Sequence, residues 1–279
     1  MNDTYAALLK AIKQYGSTED DIVSSCMRLK KDQVSEHVVI APWWEPDIFG
    51  WSGELLSGNE RASIKVWRIS LDGRDITYVK SGIGAPVLMD VVLALGLTRC
   101  KRMIFVGSVG ALDEKIGIGD IMIPEYSICG TGANAFLSQG PVDPSSCFFQ
   151  KYHPNSVLNE ILLSKTHTIC DQHAVQYHIG RTFSIDTVFA QFAHIDEMLS
   201  SGVNCIEMET AAAFQAAEIA GKSLCALFSV SDNTLTNKSL ISGRSEAEMN
   251  YRRLVRHDVF PLIISEVFAD GEITRTVVK

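Results

Sequence analysis

The sequence has no apolar run near the ~18 residues that a membrane-spanning helix requires, no block of lysine and arginine, and no C-x-x-C pair. The first absence gives no reason to expect a membrane span. The second, with 25 Lys+Arg against 33 Asp+Glu and a net charge of −8, removes the electrostatic footprint of a nucleic-acid or anionic-membrane partner. The seven cysteines are odd in number and scattered (26, 100, 129, 147, 170, 205 and 225). They fit reduced thiols in a cytoplasmic protein better than a disulfide frame or a zinc site. His167, His173 and His178 lie near one another in sequence without a carboxylate or cysteine at ligand spacing, so no metal is expected. The opening MNDTYAALLKAIKQYG lacks a basic segment followed by an apolar one, so no signal peptide is expected. There is no internal repeat and no low-complexity tract.

The balance of 46% hydrophobic and 21% charged residues is that of a globular chain. Residues 1–36 read as two amphipathic helices. Tyr5, Leu8, Leu9 and Ile12 recur at helical spacing, Gly16 stops the first helix, and Ser17-Thr18-Glu19-Asp20 resembles a cap for the second. From His37 onward, short β-branched runs (37–41, 63–69, 76–80, 103–106, 120–123, 175–182 and 223–230) alternate with helical patterns near 85–95, 154–165, 191–200, 207–220 and 246–257. That alternation is the signature of an α/β sheet. The last pattern opens on a capping box, Ser245 to Glu248, and closes on Arg252, Arg253 and Arg256, which suits the helix dipole. Residues 128–153 read as a long loop, a binding flap or an insertion. The chain therefore divides into a helical extension, 1–36, and one α/β unit, 37–279.

Several unusual segments follow directly on these buried runs: Pro42-Trp43-Trp44-Glu45, Ser81-Gly82-Ile83-Gly84, Gly107-Ser108-Val109-Gly110 and Asp232. In open α/β sheets ligands bind beyond the carboxyl ends of the strands, so these segments can share one crevice. Gly82-Ile83-Gly84 lacks the third glycine of a dinucleotide fingerprint and reads as a tight turn. The small residues 107–110 either form a plain turn or face their N–H groups to an anion or a sugar. Glu207 and Glu209 precede an alanine-rich helix. They are either dipole-stabilising residues or acceptors for two hydroxyls of a vicinal diol such as ribose. Asp232 ends a nearly uncharged run, where burial raises a carboxyl's pKa. It is either a general acid or a cap for the loop 233–243, whose end carries Arg244.

Taken together, KSGIGAP (80–86), FVGSVGAL (105–112), FSIDTVF (183–189), IEMETAAAF (206–214) and SVSDNTLT (229–236) resemble the nucleoside phosphorylase-I family. That family includes purine nucleoside phosphorylases, uridine phosphorylases and methylthioadenosine nucleosidases. Order and spacing agree from residue 37 to about 268, and residues 1–36 fall outside the common core. The resemblance implies a three-layer α/β/α sandwich around a mixed central sheet. It implies a nucleoside substrate and a homo-oligomer, a trimer or hexamer built from dimers. Apart from inorganic phosphate as co-substrate, it implies no cofactor.

Carried over by position, Met208 and Glu209 hold the ribose and Ile83 lines its face. Val188 and Phe189 pack the base, and Asp232, assisted by Arg244, protonates N7 of a purine. Gln191 is the one counterpart of the glutamine with which uridine phosphorylases bind uracil. On the phosphate side, Gly82, Gly107 and Ser108 match. Arg61 lies near the arginine that a neighbouring subunit supplies in hexameric members. Phe105 stands where those members carry an arginine, and a Pro-Trp-Trp-Glu-Pro-Asp segment replaces their Gly-Asp-Pro-x-Arg loop. Nucleosidases also lack both arginines and place an acidic residue after the first strand, where this chain has Glu45 or, second, Asp47. The expectation is phosphorolysis of a purine-type nucleoside. The alternatives are hydrolysis with Glu45 activating water, and a nucleoside-binding protein without catalysis.

Overall fold

In the computed structural model, residues 2–138 and 141–270 are described. Residues 271–279 of the expected α/β unit and positions 139–140 of the 128–153 segment lie outside them. Two helices come first, α1 (Asp3–Gln14) and α2 (Glu19–Met27). Thr18 caps α2 in a reciprocal box with Asp21, so the cap centres on Thr18. The sheet then takes β1 (His37–Ala41), β2 (Glu54–Ser57), β3 (Lys65–Leu71), β4 (Arg74–Lys80), β5 (Arg102–Ala111), β6 (Ile121–Gly130), β7 (Lys151–Tyr152), β8 (Tyr177–Ile185), β9 (Cys205–Glu207) and β10 (Ser223–Asn233). Between and after them run α3 (Ala85–Leu95), α4 (Ser156–His173), α5 (Ile195–Ser200), α6 (Thr210–Ala220), α7 (Glu246–Leu254) and α8 (Phe260–Ala269).

Each β-branched run identified in the sequence overlaps a strand, although 63–69, 120–123 and 175–182 begin one or two residues before theirs. The central strands are buried on both faces, and their period of two divides their side chains between two cores. Val38 and Ile40 of β1 join the cluster under α1, α2, α3 and α6, whereas Val39 and Ala41 join the one under α4 and α8. Helices therefore cover both faces of a mixed sheet, the expected three layers. The pairings also close a ring within the sheet: β5 pairs with β10, β10 with β6, β6 with β8, β8 with β9, and β9 with β5. The remaining strands β1, β4, β3 and β2 extend from β5 as a wing.

Residues 107–110 are not a turn. β5 continues through them because β10 runs alongside for its whole length, with Phe228 opposite Gly107 and Ser229 opposite Ser108. On its other edge β5 pairs with β1 only as far as Phe105 and with β9 only from Gly110. Between those points the edge has no neighbouring strand. This is the switch point where an α/β sheet opens a crevice. The segment read as a long loop is shorter than expected, since β6 reaches Gly130 and β7 returns to pair with Ser127 and Ile128.

Tyr5, Leu9, Val23 and Met27 from the two N-terminal helices are buried in the same cluster as Leu88 and Val92 of α3, and Tyr5 donates to the Leu93 carbonyl at 2.6 Å. Met27→Ala is therefore expected to cost about 2–5 kcal/mol in denaturant unfolding. A loss below about 0.5 kcal/mol, the range of surface substitutions, would make the helices a mere appendage.

Candidate active site

A cavity opens at the switch point, with about 630 Å³ of atom-free space continuous with solvent. Into it converge Pro42 and Trp43 after β1, Ile83 ahead of α3, Ser108 and Gly110 of β5, Ile206 to Glu209 at the β9–α6 junction, and Ser231 and Asp232 of β10. Val188, Gln191 and Leu240 complete the lining.

The two glutamates before α6 have different tasks. Glu207 accepts from the backbone N–H groups of Glu209 and Thr210 at 2.6 and 2.7 Å, from the Thr210 hydroxyl at 2.7 Å, and from the Ser184 hydroxyl. It is the cap of α6, built from inside the fold. Glu209 turns the other way: its Oε1 accepts from the Gly84 N–H at 2.7 Å, tying the turn before α3 to α6, and the residue lines the cavity. Burial pushes both carboxyls up, with Glu209 driven to about 8 by desolvation and by the charge of Glu207. The four donors on Glu207 favour its ionised form, so the proton retained by the pair sits on Glu209.

Asp232 is 3% exposed. Burial raises its pKa, against the Ser231 hydroxyl, which donates to Oδ1, and against the charges of Arg244 and Arg252. Room for this carboxyl comes from Gly110, where a Cβ would stand 3.1 Å from Asp232 Oδ2. Asn233, not Asp232, caps the following turn, its side chain accepting from the Leu235 N–H. Ser108 Oγ is buried and has no hydrogen-bond partner. A buried hydroxyl costs about 1–3 kcal/mol when unpaired, so this position is suited to a polar ligand atom.

Of the residues singled out from the sequence, Ile83, Ser108, Val188, Gln191, Glu207, Met208, Glu209 and Asp232 line this cavity together. Six others do not. Arg244 is adjacent, its Nε donating to the Ser231 carbonyl at 2.5 Å. Phe189 is 88% exposed, and Arg61 projects from an exposed turn. Gly82 sits behind Ile83 in the turn, and Gly107 lies in β5 against the Phe228 ring. Glu45 Oε1 is held by Lys65 and Lys80, each at 2.7 Å, and these ion pairs hold its carboxyl below the usual range. Sequence reasoning passed over Ser231 and Leu240 as lining residues. Ser231 is the alternation partner of Val230 on the wet side of β10, and Leu240 comes from a loop with no periodic signal.

The model of the Phosphorylase superfamily matches residues 52–257, about three quarters of the sequence. The chain belongs to the Phosphorylase superfamily. Within that superfamily it is similar to the DeoD-type purine nucleoside phosphorylase of Bacillus velezensis, 24% identical over 197 residues that cover 70% of this chain and 77% of the relative. It is also similar to the uridine phosphorylase of Thermococcus kodakarensis, 26% identical over 191 residues covering 63% and 65%. Among solved structures, a uridine phosphorylase from Vibrio fischeri superposes with a TM-score of 0.66 at 22% identity, covering 86% of this chain and 93% of its own. A purine nucleoside phosphorylase from Toxoplasma gondii in complex with immucillin-H superposes with the same TM-score of 0.66 at 17% identity, covering 87% and 92%. At these identities the superpositions speak for a shared superfamily fold.

Proposed function

We propose that this protein cleaves the N-glycosidic bond of a purine-type nucleoside by phosphorolysis. One observation carries the reading: Glu209, Asp232 and the unpartnered hydroxyl of Ser108 line a single cavity at the sheet's switch point. Glu209 accepts from the ribose hydroxyls and, with Met208 beside it, fixes the sugar, an effect of orientation. As the bond between C1′ and the base nitrogen breaks, its electron pair leaves with the base. Asp232, whose burial favours the protonated carboxyl, passes its proton to N7. A phosphate oxygen then bonds to C1′ from the opposite face, giving the ribose 1-phosphate, with Ser108 donating to the phosphate.

The names of the relatives support this reading, since both purine nucleoside and uridine phosphorylases are among them. The hydrolytic alternative needs Glu45 as a base for water. A carboxylate clamped between two ammonium groups is a weak base, and Glu45 does not line the cavity. The exposed apolar side chains Ile83 and Phe189 near the mouth suit cover by a second copy of the chain, as a homo-oligomer would provide. No described helix is long and apolar enough to cross a membrane.

The test is base release from inosine, adenosine, methylthioadenosine and uridine with and without phosphate. Phosphate-dependent release of the purine bases is expected, with ribose 1-phosphate as the second product. Release at equal rates without phosphate would replace phosphorolysis by hydrolysis. Tight nucleoside binding with no release in either condition would leave a binding protein.

A further inference from the structure

Three arginines gather around Asp232 at the side of the cavity, and among the described residues none of them forms a direct ion pair with a carboxylate. Arg244 is anchored on the Ser231 carbonyl, Arg252 lies in the last turn of α7, and Arg256 follows one turn on, its Nε donating to the Arg252 carbonyl at 3.2 Å. The guanidinium carbon of Arg256 lies 5.5 Å from the centroid of the Trp44 ring. Trp44 is buried, and the Tyr78 hydroxyl, donating to its carbonyl at 2.8 Å, fixes its place. The stem of Arg252 fits against Gly119, where a Cβ would stand 3.2 Å from Arg252 Cγ and 2.5 Å from the Tyr251 ring. Its Nε is buried with no hydrogen-bond partner.

Apart from Asp232, the carboxylates near these arginines are engaged elsewhere. Glu45 holds Lys65 and Lys80, Asp120 pairs with His178 at 2.7 Å, and Glu248, one turn before Arg252, pairs with Lys238. Asp232 is the carboxyl that acts on Arg252, and its own Oδ1 accepts from Ser231. Burial and the charges of Arg256 and Arg244 push Arg252 down to about 10. In a chain of net charge −8, a half-buried cluster of three cations is not general basicity. Buried charges are normally paired, and planar guanidiniums match the oxygens of phosphate.

We propose that Arg252 and Arg256, with Arg244 completing the cluster, hold a tetrahedral oxyanion at the edge of the cavity between Trp44 and Asp232. The oxyanion is either the inorganic phosphate of the reaction or a phosphate ester carried by the nucleoside. The proposal rests on the phosphorolytic reading only for the first of these. It accounts for the missing cations after β1 and at Phe105, because the helix after Ser245 brings guanidiniums next to Trp44 and Asp232.

The experiment is calorimetric titration of the whole chain with inorganic phosphate and, separately, with a nucleoside 5′-monophosphate. The proteins are the wild type, Arg252→Met, Arg256→Met, Arg252→Lys and, as a control on the exposed side of α7, Arg253→Met. Each methionine variant is expected to bind one of the two ligands about 10- to 100-fold more weakly, Arg252→Lys less so, and Arg253→Met like the wild type. Melting curves identify a variant that has lost its fold, and Arg252→Lys then carries the comparison. A loss for inorganic phosphate, with a matching rise in its KM and an unchanged nucleoside KM, identifies the co-substrate. A loss for the monophosphate alone identifies the ester. Unchanged affinity for both ligands in all folded variants overturns the site. Phosphate-dependent catalysis with an unaltered phosphate KM and an unaltered affinity for the monophosphate would overturn it while leaving phosphorolysis intact. Phosphate-independent base release with a weakened monophosphate would remove phosphorolysis and keep the site.

Discussion

Asp232→Asn is expected to lower kcat/KM for a purine nucleoside by about 10²–10⁴-fold, the usual range for a positioned general acid. The asparagine keeps the shape of the side chain and its place against Gly110, so the loss reports the proton and not the packing. A substrate whose leaving group needs no proton makes the distinction sharp. With a 4-nitrophenyl riboside, the same variant should lose only a few-fold, because 4-nitrophenolate departs as a stable anion. Equal losses on both substrates would mean that Asp232 holds the loop or the base in place and transfers no proton. An unchanged rate on inosine would remove it from the mechanism altogether.

Much of this site could be read from the chain before its fold was known, because the informative segments each follow a strand with strong β-branched patterning. HVVIA, ITYVK and MIFV announce β1, β4 and β5, and whatever follows such strands faces the same end of the sheet. The residue pattern by itself does not separate Glu207 from Glu209, and it is the family resemblance that puts Glu209 on the ribose. Two carboxylates two residues apart ahead of a helix look alike in sequence. The Ser184 hydroxyl on β8, which reaches Glu207, and the N–H groups of Glu209 and Thr210 make Glu207 the cap, and Glu209 is the one left to hold a ligand in the cavity that both line. Glu45 shows the same limit from the other side. Its neutralising lysines come from β3 and β4, 20 and 35 positions away, so its isolation from the cavity is a tertiary fact.

Elements were missed for comparable reasons. β2 and β9 are four and three residues long, too short for a period of two to register. The helix that begins at Glu246 does not end near 257. It passes through a π turn, Val255–Val259, and continues as α8 to Ala269 with Pro261 in its first turn. A proline there ordinarily marks a helix end, but the widened register of a π turn directly ahead of it receives a residue that cannot donate. The three-arginine cluster depends on this same detour. Arg252 and Arg256 stand on either side of the junction between α7 and the π turn, and a sequence pattern shows them only as a basic helix end.

Glu209→Gln separates the grip on the sugar from the cost of keeping a carboxyl buried. Ribose hydroxyls that donate to Glu209 favour its ionised form, which presents two acceptors where a glutamine presents one, and hydrogen bonds to a charged acceptor are worth about 1.5–3 kcal/mol each. The variant should therefore lose about 10²–10³-fold in kcat/KM on a ribonucleoside. On a 2′,3′-dideoxynucleoside, which has no hydroxyls to grip, wild type and variant should be equally poor, and a persistent gap there would place Glu209 elsewhere in the mechanism. Stability should move in the opposite direction, increasingly as pH rises from about 4.5 to about 8. Glu209 has its pKa raised from 4.5 to about 8 in the fold, so its contribution is fully present below about 4.5 and is lost as pH rises through about 8. Each tenfold change in proton affinity is worth about 1.4 kcal/mol, and Glu207 shares the penalty, so the wild type should be weakened by about 2–5 kcal/mol at pH 9. Glutamine carries no charge at any pH. In urea unfolding, wild type and Glu209→Gln should match near pH 5, and the variant should be the more stable at pH 9. A variant that is less stable than wild type at pH 9 would show that the carboxylate is solvated or paired there, and that the two glutamates do not compete for one buried charge.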